Sequence, residues 1–96
     1  MSNYGLTKRA RDDLFDIFLF GYEKFGERQA EAYAADLEHV FQLLAENPRL
    51  GRNADVIAAG VRRYEHQSHI LLYQEMPSGV LILAVVHKSS VRRLSL

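Results

Sequence analysis

Hydrophobic positions in the first half of the chain recur with the spacing of two amphipathic helices. In residues 11–25 the apolar positions follow an i, i+3, i+4, i+7 pattern, which places them on one helix face: Leu14, Ile17, Phe18, Gly21, Tyr22 and Phe25. Residues 28–46 repeat the pattern: Ala30, Tyr33, Leu37, Val40, Phe41 and Leu44. Thr7 suits an N-cap, Gly26 suits a left-handed helix stop, and Asn47-Pro48 ends the second helix. We therefore expect an antiparallel helical hairpin that turns at Gly26.

After Pro48 the pattern changes to that of short strands. Residues 61–66, 69–75 and 80–88 have strand character, and the turn Met76-Pro77-Ser78-Gly79 joins the last two as a β-hairpin. The run VLILAVV at 80–86 is apolar on both faces, which is typical of a buried central strand. A short strand at 4–6 could join the same sheet. The predicted fold is one α+β domain over 1–96, with the order β-α-α-β-β-β and a helical hairpin packed on a small, mainly antiparallel sheet.

Composition narrows the class of protein. A chain of 96 residues is one domain, its 48% hydrophobic content excludes disorder, and no apolar run approaches the roughly 20 residues that cross a bilayer. Cysteine is absent and the N-terminus lacks the apolar core of a signal peptide, so we expect a cytoplasmic protein without membrane contact.

The zero net charge hides an asymmetry between the two halves. Residues 1–48 carry five basic and nine acidic residues, and residues 49–96 carry seven and three, so the halves have charges of −4 and +4. The basic half either meets an acidic partner or complements the acidic half.

The stretch GVRRYEHQSHILLY at 60–73 concentrates the candidate chemistry. Arg62 and Arg63 are neighbours on a strand and should point to opposite faces. His69 and Tyr73 lie four apart and should share a face, as a half-buried, hydrogen-bonded pair. The four histidines follow no compact metal motif and there is no cysteine, so we expect neither a metal nor a cofactor: His39, His66, His69 and His87.

RNA cleavage would need cations for the phosphate together with a tuned acid or base. The available groups are Arg62, Arg63, His87 and Lys88, with His66 and His69 nearby in sequence. The tail SSVRRLSL at 89–96 contains no Tyr, His, Asp or Glu to complete such a site. The sequence therefore predicts no catalytic residue and a protein that is not an enzyme.

Taken in order, these segments resemble one protein family over nearly the whole chain. The helical hairpin is followed by NP-x-x-G at 47–51, G-x-R at 60–62, H-x-x-x-Y at 69–73 and VLILAVVHK at 80–88. This ensemble is similar to the ParE branch of the RelE/ParE toxin superfamily. The resemblance implies a bacterial type II toxin that inhibits DNA gyrase and is neutralised by a ParD-type antitoxin, which wraps an extended tail over the toxin surface.

Two sets of candidate binding residues go with this interpretation. The candidates for target binding are Arg62, Arg63, His69, Tyr73, His87, Lys88, Arg92 and Arg93. The candidates for antitoxin binding are Phe15, Leu19, Tyr22, Tyr33, Arg49 and Arg52. Phe15 and Leu19 lie off the main helical stripe and should be exposed, whereas Tyr22 and Tyr33 face the helical seam, where core packing is the default.

Two alternatives to a gyrase-directed toxin stay open at this point. One is a ribosome-dependent messenger-RNA endoribonuclease of the RelE/HigB type. The other is a non-toxic binding domain of the same shape. In none of these cases do we expect direct, sequence-specific binding of nucleic acid.

Overall fold

The computed structural model describes the backbone of residues 2–93 and the side chains of residues 2–90. Two long helices and five strands follow one another along the chain, and a short 3₁₀ helix comes after the last strand. Their bounds are β1 Asn3–Leu6, α1 Lys8–Phe25, α2 Glu27–Glu46, β2 Arg52–Asn53, β3 Val61–His66, β4 His69–Met76, β5 Gly79–His87 and the 3₁₀ helix Lys88–Arg93. The predicted α+β order is confirmed, with the two-residue strand β2 as an addition.

The helical hairpin has the predicted caps, with one correction. The Thr7 hydroxyl accepts a hydrogen bond from the Ala10 amide at 3.0 Å, as an N-cap residue does. Gly26 separates the helices at φ 94° and ψ 170°, so it has a positive φ but not the left-handed helical conformation that we expected. Its amide donates to the Tyr22 carbonyl, and its carbonyl accepts from the Ala30 amide, so one residue ends α1 and starts α2.

The five strands form one sheet in the order β1-β5-β4-β3-β2. β1 runs parallel to β5, and the other three pairs are antiparallel. Strand β5 thus lies inside the sheet, as its apolar sequence predicts. Where β5 starts beside β1, a Cβ atom at Gly79 would overlap the Asn3 carbonyl, so only glycine fits this close approach.

A β-bulge in β5 connects the sheet to α1. The register between β4 and β5 shifts at Leu72 and Tyr73, and Leu83 is the extra residue. Side chains from the start of α1 bond the backbone there: the Thr7 hydroxyl donates to the Leu83 carbonyl at 2.8 Å, and the Val85 amide donates to the Asp13 carboxylate at 2.9 Å. The bulge therefore fixes where α1 begins on the sheet.

The sheet has apolar residues on both faces. The helices cover one face, where the largest buried side chains are Leu37, Phe41, Leu44, Leu71, Tyr73 and Ile82. A smaller cluster occupies the other face beside the connector residues Ile57 and Ala58: Ala54, Val61, Ile70, Leu72, Ala84 and Val86. Among the described residues, no helix has the length and apolarity that a membrane span requires.

The tip of the hairpin extends beyond this core. Every residue from 22 to 29 is exposed. The prediction that Tyr22 packs in the helical seam is therefore wrong: its side chain is 48% exposed, because it lies at this exposed tip of the hairpin.

Candidate functional site

The two adjacent arginines lie on opposite faces of the sheet, as their positions in a strand predict. Arg62 pairs across the strands with Tyr73, whose side chain is buried on the helix-covered face. Arg63 pairs with Leu72, which belongs to the cluster on the other face. Any surface that uses one of these guanidinium groups therefore cannot easily use the other.

Arg62 and Tyr73 hold the connector that follows α2. The Arg62 guanidinium donates to the Gly51 carbonyl at 2.8 Å. The Tyr73 hydroxyl accepts from the Gly51 amide and donates to the Pro48 carbonyl, both at 2.8 Å. Burial raises the pKa of Tyr73, although the Gly51 amide opposes this shift. These contacts give Arg62 and Tyr73 a structural role, because both side chains bond the backbone of the connector.

His69 and Tyr73 share a face but do not form the hydrogen-bonded pair that we expected. Tyr73 is bonded to the connector, while His69 Nδ1 and the Tyr33 hydroxyl are joined by a hydrogen bond of 2.6 Å. Alternation along a strand predicts which side chains share a face, but not which of them touch. Tyr33, near the middle of α2, is the partner that the sequence did not indicate.

Tyr33, His66, His69 and His87 form what we call the histidine cluster, at the end of the sheet below α2. The Tyr33 ring lies 5.8 Å from His66 and 5.5 Å from His69, and the His69 and His87 rings meet edge to face at 5.6 Å. Burial lowers the pKa of His69, and the neighbouring His87 and His66 lower it further. The cluster therefore favours a neutral His69. His66 Nε2 is buried and has no hydrogen-bond partner among the described residues.

Arg52, Arg63, Glu65 and Lys88 form a second group, the Glu65 cluster, on the opposite face of the sheet. Nitrogen atoms of the three basic side chains approach the Glu65 carboxylate at 2.8, 3.8 and 3.4 Å respectively. All three cations are candidates from the sequence, Arg52 for antitoxin binding and the other two for target binding, whereas Glu65 was not predicted. The available signal was spacing, because Glu65 lies two residues after Arg63 and so shares its face.

The hairpin carries the largest exposed apolar side chains of the described residues. Phe15 is 64% and Leu19 is 45% exposed, as predicted, and Phe20, at 60%, is an addition to the predicted set. We call Phe15, Leu19, Phe20, Tyr22 and Phe25 the hairpin surface. Single exposed apolar residues are ordinary, but the i, i+4, i+7 spacing of Phe15, Leu19 and Tyr22 places three large ones along one face of α1, which suggests a binding surface.

A groove of about 1080 Å³ lies between the hairpin and the ends of β4 and β5. Its lining includes Phe20 from the hairpin surface and Tyr33, His69 and His87 from the histidine cluster. Asp13, at its edge, has a raised pKa because of burial, which the Val85 amide and Arg9 partly offset. The groove therefore connects the hairpin surface to the histidine cluster.

The remaining candidates lie apart from these groups. Arg49 pairs with Glu75 at 3.7 Å, with both side chains exposed. The backbones of Arg92 and Arg93 belong to the 3₁₀ helix, but their side chains lie outside the described residues. Within the described residues, no three His, Asp or Glu side chains are grouped so that they could hold a metal ion.

The fold, a helical hairpin on this five-stranded sheet, is that of chains from bacterial toxin-antitoxin systems. A chain of the chromosomal ParDE toxin-antitoxin system from P. aeruginosa superposes with a TM-score of 0.75 at 19% identity, covering 91% of this chain and 96% of that one. A chain of the RelBE2 toxin-antitoxin complex from Mycobacterium tuberculosis gives 0.66 at 26% identity, covering 91% and 98%.

Sequence comparison identifies the family within this class. The family described as ParE toxin of type II toxin-antitoxin system, parDE, matches residues 4–92. Toxin ParE1 of Caulobacter vibrioides is 35% identical over 89 residues, which is 93% of this chain and 92% of that protein. Toxin ParE1 of Mycobacterium tuberculosis is 35% identical over 88 residues, covering 91% and 90%. The chain belongs to the ParE toxin family.

Proposed function

We propose that this ParE-family toxin is neutralised by a ParD-type antitoxin that covers the hairpin surface, and that it acts in the cytoplasm by inhibiting DNA gyrase. The observation that carries the first part is the exposure of five large apolar side chains on α1. Both similar structures come from toxin-antitoxin systems, which supports an antitoxin as the partner.

The hairpin surface suits a partner that adds apolar side chains of its own. Phe15 and Leu19 lie four residues apart and Tyr22 three further on, so they form one stripe along α1. Phe20 lies beside the groove, under the Lys24 ammonium at 5.5 Å from its ring. An amphipathic antitoxin helix or extended tail could bury the stripe and continue into the groove.

Leu19→Glu tests this antitoxin proposal without disturbing the core, because Leu19 is 45% exposed. Co-expressed with an adjacent ParD-type antitoxin, the unchanged toxin should copurify with it as a stable complex. The charge should weaken that complex by about tenfold or more if Leu19 is a hot spot of the interface, since the loss of a hot-spot side chain costs about 2 kcal/mol or more. Glu31→Gln, at an exposed position on α2 outside the hairpin surface, is the control and should bind normally. If Leu19→Glu binds as tightly as the unchanged protein, the hairpin surface is not the antitoxin site.

The second part of the proposal, inhibition without RNA cleavage, rests on how the sheet separates the candidate groups. Cleavage requires cations and proton-transfer groups around one phosphate. Here Arg63 and Lys88 converge on one face, whereas His66 and His69 lie on the other, below α2. A phosphate held by the Glu65 cluster would be separated from these imidazoles by the sheet. Inhibition through protein binding has no such requirement.

Two assays on one preparation separate the mechanisms. We expect the purified toxin to slow supercoiling of relaxed plasmid by gyrase, or to trap gyrase in a cleaved-DNA complex. We also expect it to leave messenger RNA intact in a reconstituted translation system. Cleavage of the RNA, abolished by His87→Ala, would show an endoribonuclease of the RelE/HigB type instead.

A further inference from the structure

The Glu65 cluster brings three cations from three parts of the chain to a single carboxylate. Arg52 comes from β2, Arg63 from β3 and Lys88 from the 3₁₀ helix after β5. One negative charge among three positive ones leaves an excess of two. We propose that this cluster binds a carboxylate of an acidic segment on a partner protein, and that Glu65 is an internal competitor that occupies the site until the partner arrives. The identification of that partner as the toxin's target rests on the proposed function; the site itself does not.

The contacts of Glu65 can be exchanged for those of an external carboxylate. Arg52 and Arg63 both approach Oε1, at 2.8 and 3.8 Å, and Lys88 approaches Oε2 at 3.4 Å. The Glu65 side chain is 45% exposed, as is that of Lys88, and Arg52 is 70% exposed. Ion pairs this exposed contribute little to stability. An incoming carboxylate could therefore take over these contacts at small cost.

Arg63 supplies the fixed part of the site. Its side chain is only 25% exposed, and its Nε is buried without a hydrogen-bond partner among the described residues. The stem is thus held against the sheet, while Nη2 faces Glu65. A guanidinium that is already ordered loses little conformational freedom when it binds an anion.

Charge distribution favours an acidic protein segment over nucleic acid. Binding to a phosphate backbone depends on many cations spread over a basic face. This chain has no net charge, its first half carries −4, and the cluster has an excess of only two positive charges. The group already held there is a carboxylate.

Removing the negative charge of Glu65, the internal competitor, tests the proposal directly. The probe is a hexa-aspartate peptide, titrated into the full-length toxin at low salt and followed by backbone amide chemical shifts. Glu65→Gln should bind the peptide about two- to fivefold more tightly than the unchanged protein, which is the value of one exposed ion pair. Shifts should centre on residues 63–66 and 88, and the difference should shrink as salt screens the charges. Arg52→Gln and Lys88→Gln should weaken binding.

Glu75→Gln is the matched control, because Glu75 is similarly exposed, at 49%, and is also paired with an arginine, Arg49. It should leave the peptide affinity and the shifts at the cluster unchanged. Circular dichroism should show that all variants fold.

Unchanged or weaker binding by Glu65→Gln would overturn the proposal and show that Glu65 only orders the cations. Tighter binding of a hexathymidylate oligonucleotide than of the peptide would also overturn it, in favour of a phosphate site. Because these titrations use the toxin alone, their failure is distinct from a failure to inhibit gyrase.

Discussion

At the residue scale, the hydrogen bond between Tyr33 and His69 holds α2 to the end of the sheet. It joins an α2 side chain to the first residue of β4, and both residues are half-buried. His87 packs against the same imidazole from β5. These two contacts together link α2, β4 and β5 next to the groove, where the hairpin meets the sheet.

Tyr33→Phe should lower the free energy of unfolding by about 0.5–1.5 kcal/mol, because it removes the hydroxyl and keeps the ring. Urea unfolding measures the change. Tyr64→Phe is the matched control, since the Tyr64 hydroxyl makes no hydrogen bond among the described residues, and it should change stability by less. Equal losses in the two variants would contradict a structural role for the bond.

The lowered pKa of His69 predicts how stability depends on pH. The unfolded chain protonates this imidazole near its ordinary value of 6.5, whereas burial keeps it neutral in the folded protein to lower pH. At pH values between the folded and the unfolded pKa of His69, the unfolded state binds more protons than the folded state. The stability that a neutral His69 contributes is therefore full above about pH 6.5 and is lost as the pH falls through the folded pKa. Urea midpoints from pH 8 downwards should show the decline, and His69→Gln should flatten it. An equally steep decline in His69→Gln would assign it to other groups.

At the element scale, the attachment of α1 to the bulge in β5 positions the whole hairpin. The Val85 amide has the Asp13 carboxylate as its acceptor, and Thr7 both caps α1 and donates to Leu83. Because α1 carries the hairpin surface, this attachment also determines where a partner would meet the toxin.

Asp13→Ala should destabilise the protein by about 1–3 kcal/mol, since it leaves the buried Val85 amide without an acceptor. Hydrogen exchange at that amide should become faster. Asp13 also forms an ion pair with Arg9, four residues before it, at 3.7 Å. Asp12→Ala is the control, because it removes the corresponding but more exposed pair with Lys8 and should cost under about 0.5 kcal/mol. Normal protection of Val85 in Asp13→Ala would mean that the bulge does not depend on α1.

The same elements show what the sequence could and could not predict. The Thr7 cap and the hydrophobic face of α2 were predictable because they depend on neighbours a few residues away. The bulge at Leu83 was not, since the residues that bond it, Thr7 at the N-cap of α1 and Asp13 on α1, are 76 and 72 residues away from their partners in sequence. Tyr22 was misplaced because periodicity identifies a face of a helix, but not which part of that face lies at the exposed tip of the hairpin.

The types of residue in the candidate site could be predicted from the sequence, but the contacts between them could not. The sequence indicated that basic residues are concentrated in the second half of the chain. Strand alternation correctly predicted that Arg62 and Arg63 lie on opposite faces of the sheet. Arg62 nevertheless bonds to the connector, and Arg52 joins Arg63 through the short strand β2. A two-residue strand has no pattern of its own, so the convergence on Glu65 appears only in the folded structure.

At the scale of the whole molecule, the hairpin surface, the histidine cluster and the Glu65 cluster lie in three different places. We propose that the hairpin surface meets the antitoxin and that the Glu65 cluster meets an acidic partner on the far face, while the histidine cluster fastens α2 to the sheet. A domain of 96 residues would thus have separate surfaces for two proteins.

Gyrase supercoiling measured with a charge-reversed toxin tests the central claim most directly. The unchanged toxin should slow the conversion of relaxed plasmid to the supercoiled form. Lys88→Glu should reduce that inhibition by about tenfold or more, because it places a repulsive charge in the Glu65 cluster, while Lys24→Glu, on the hairpin, should inhibit as the unchanged toxin does. Full inhibition by Lys88→Glu, or no inhibition by a folded, unchanged toxin, would contradict the account.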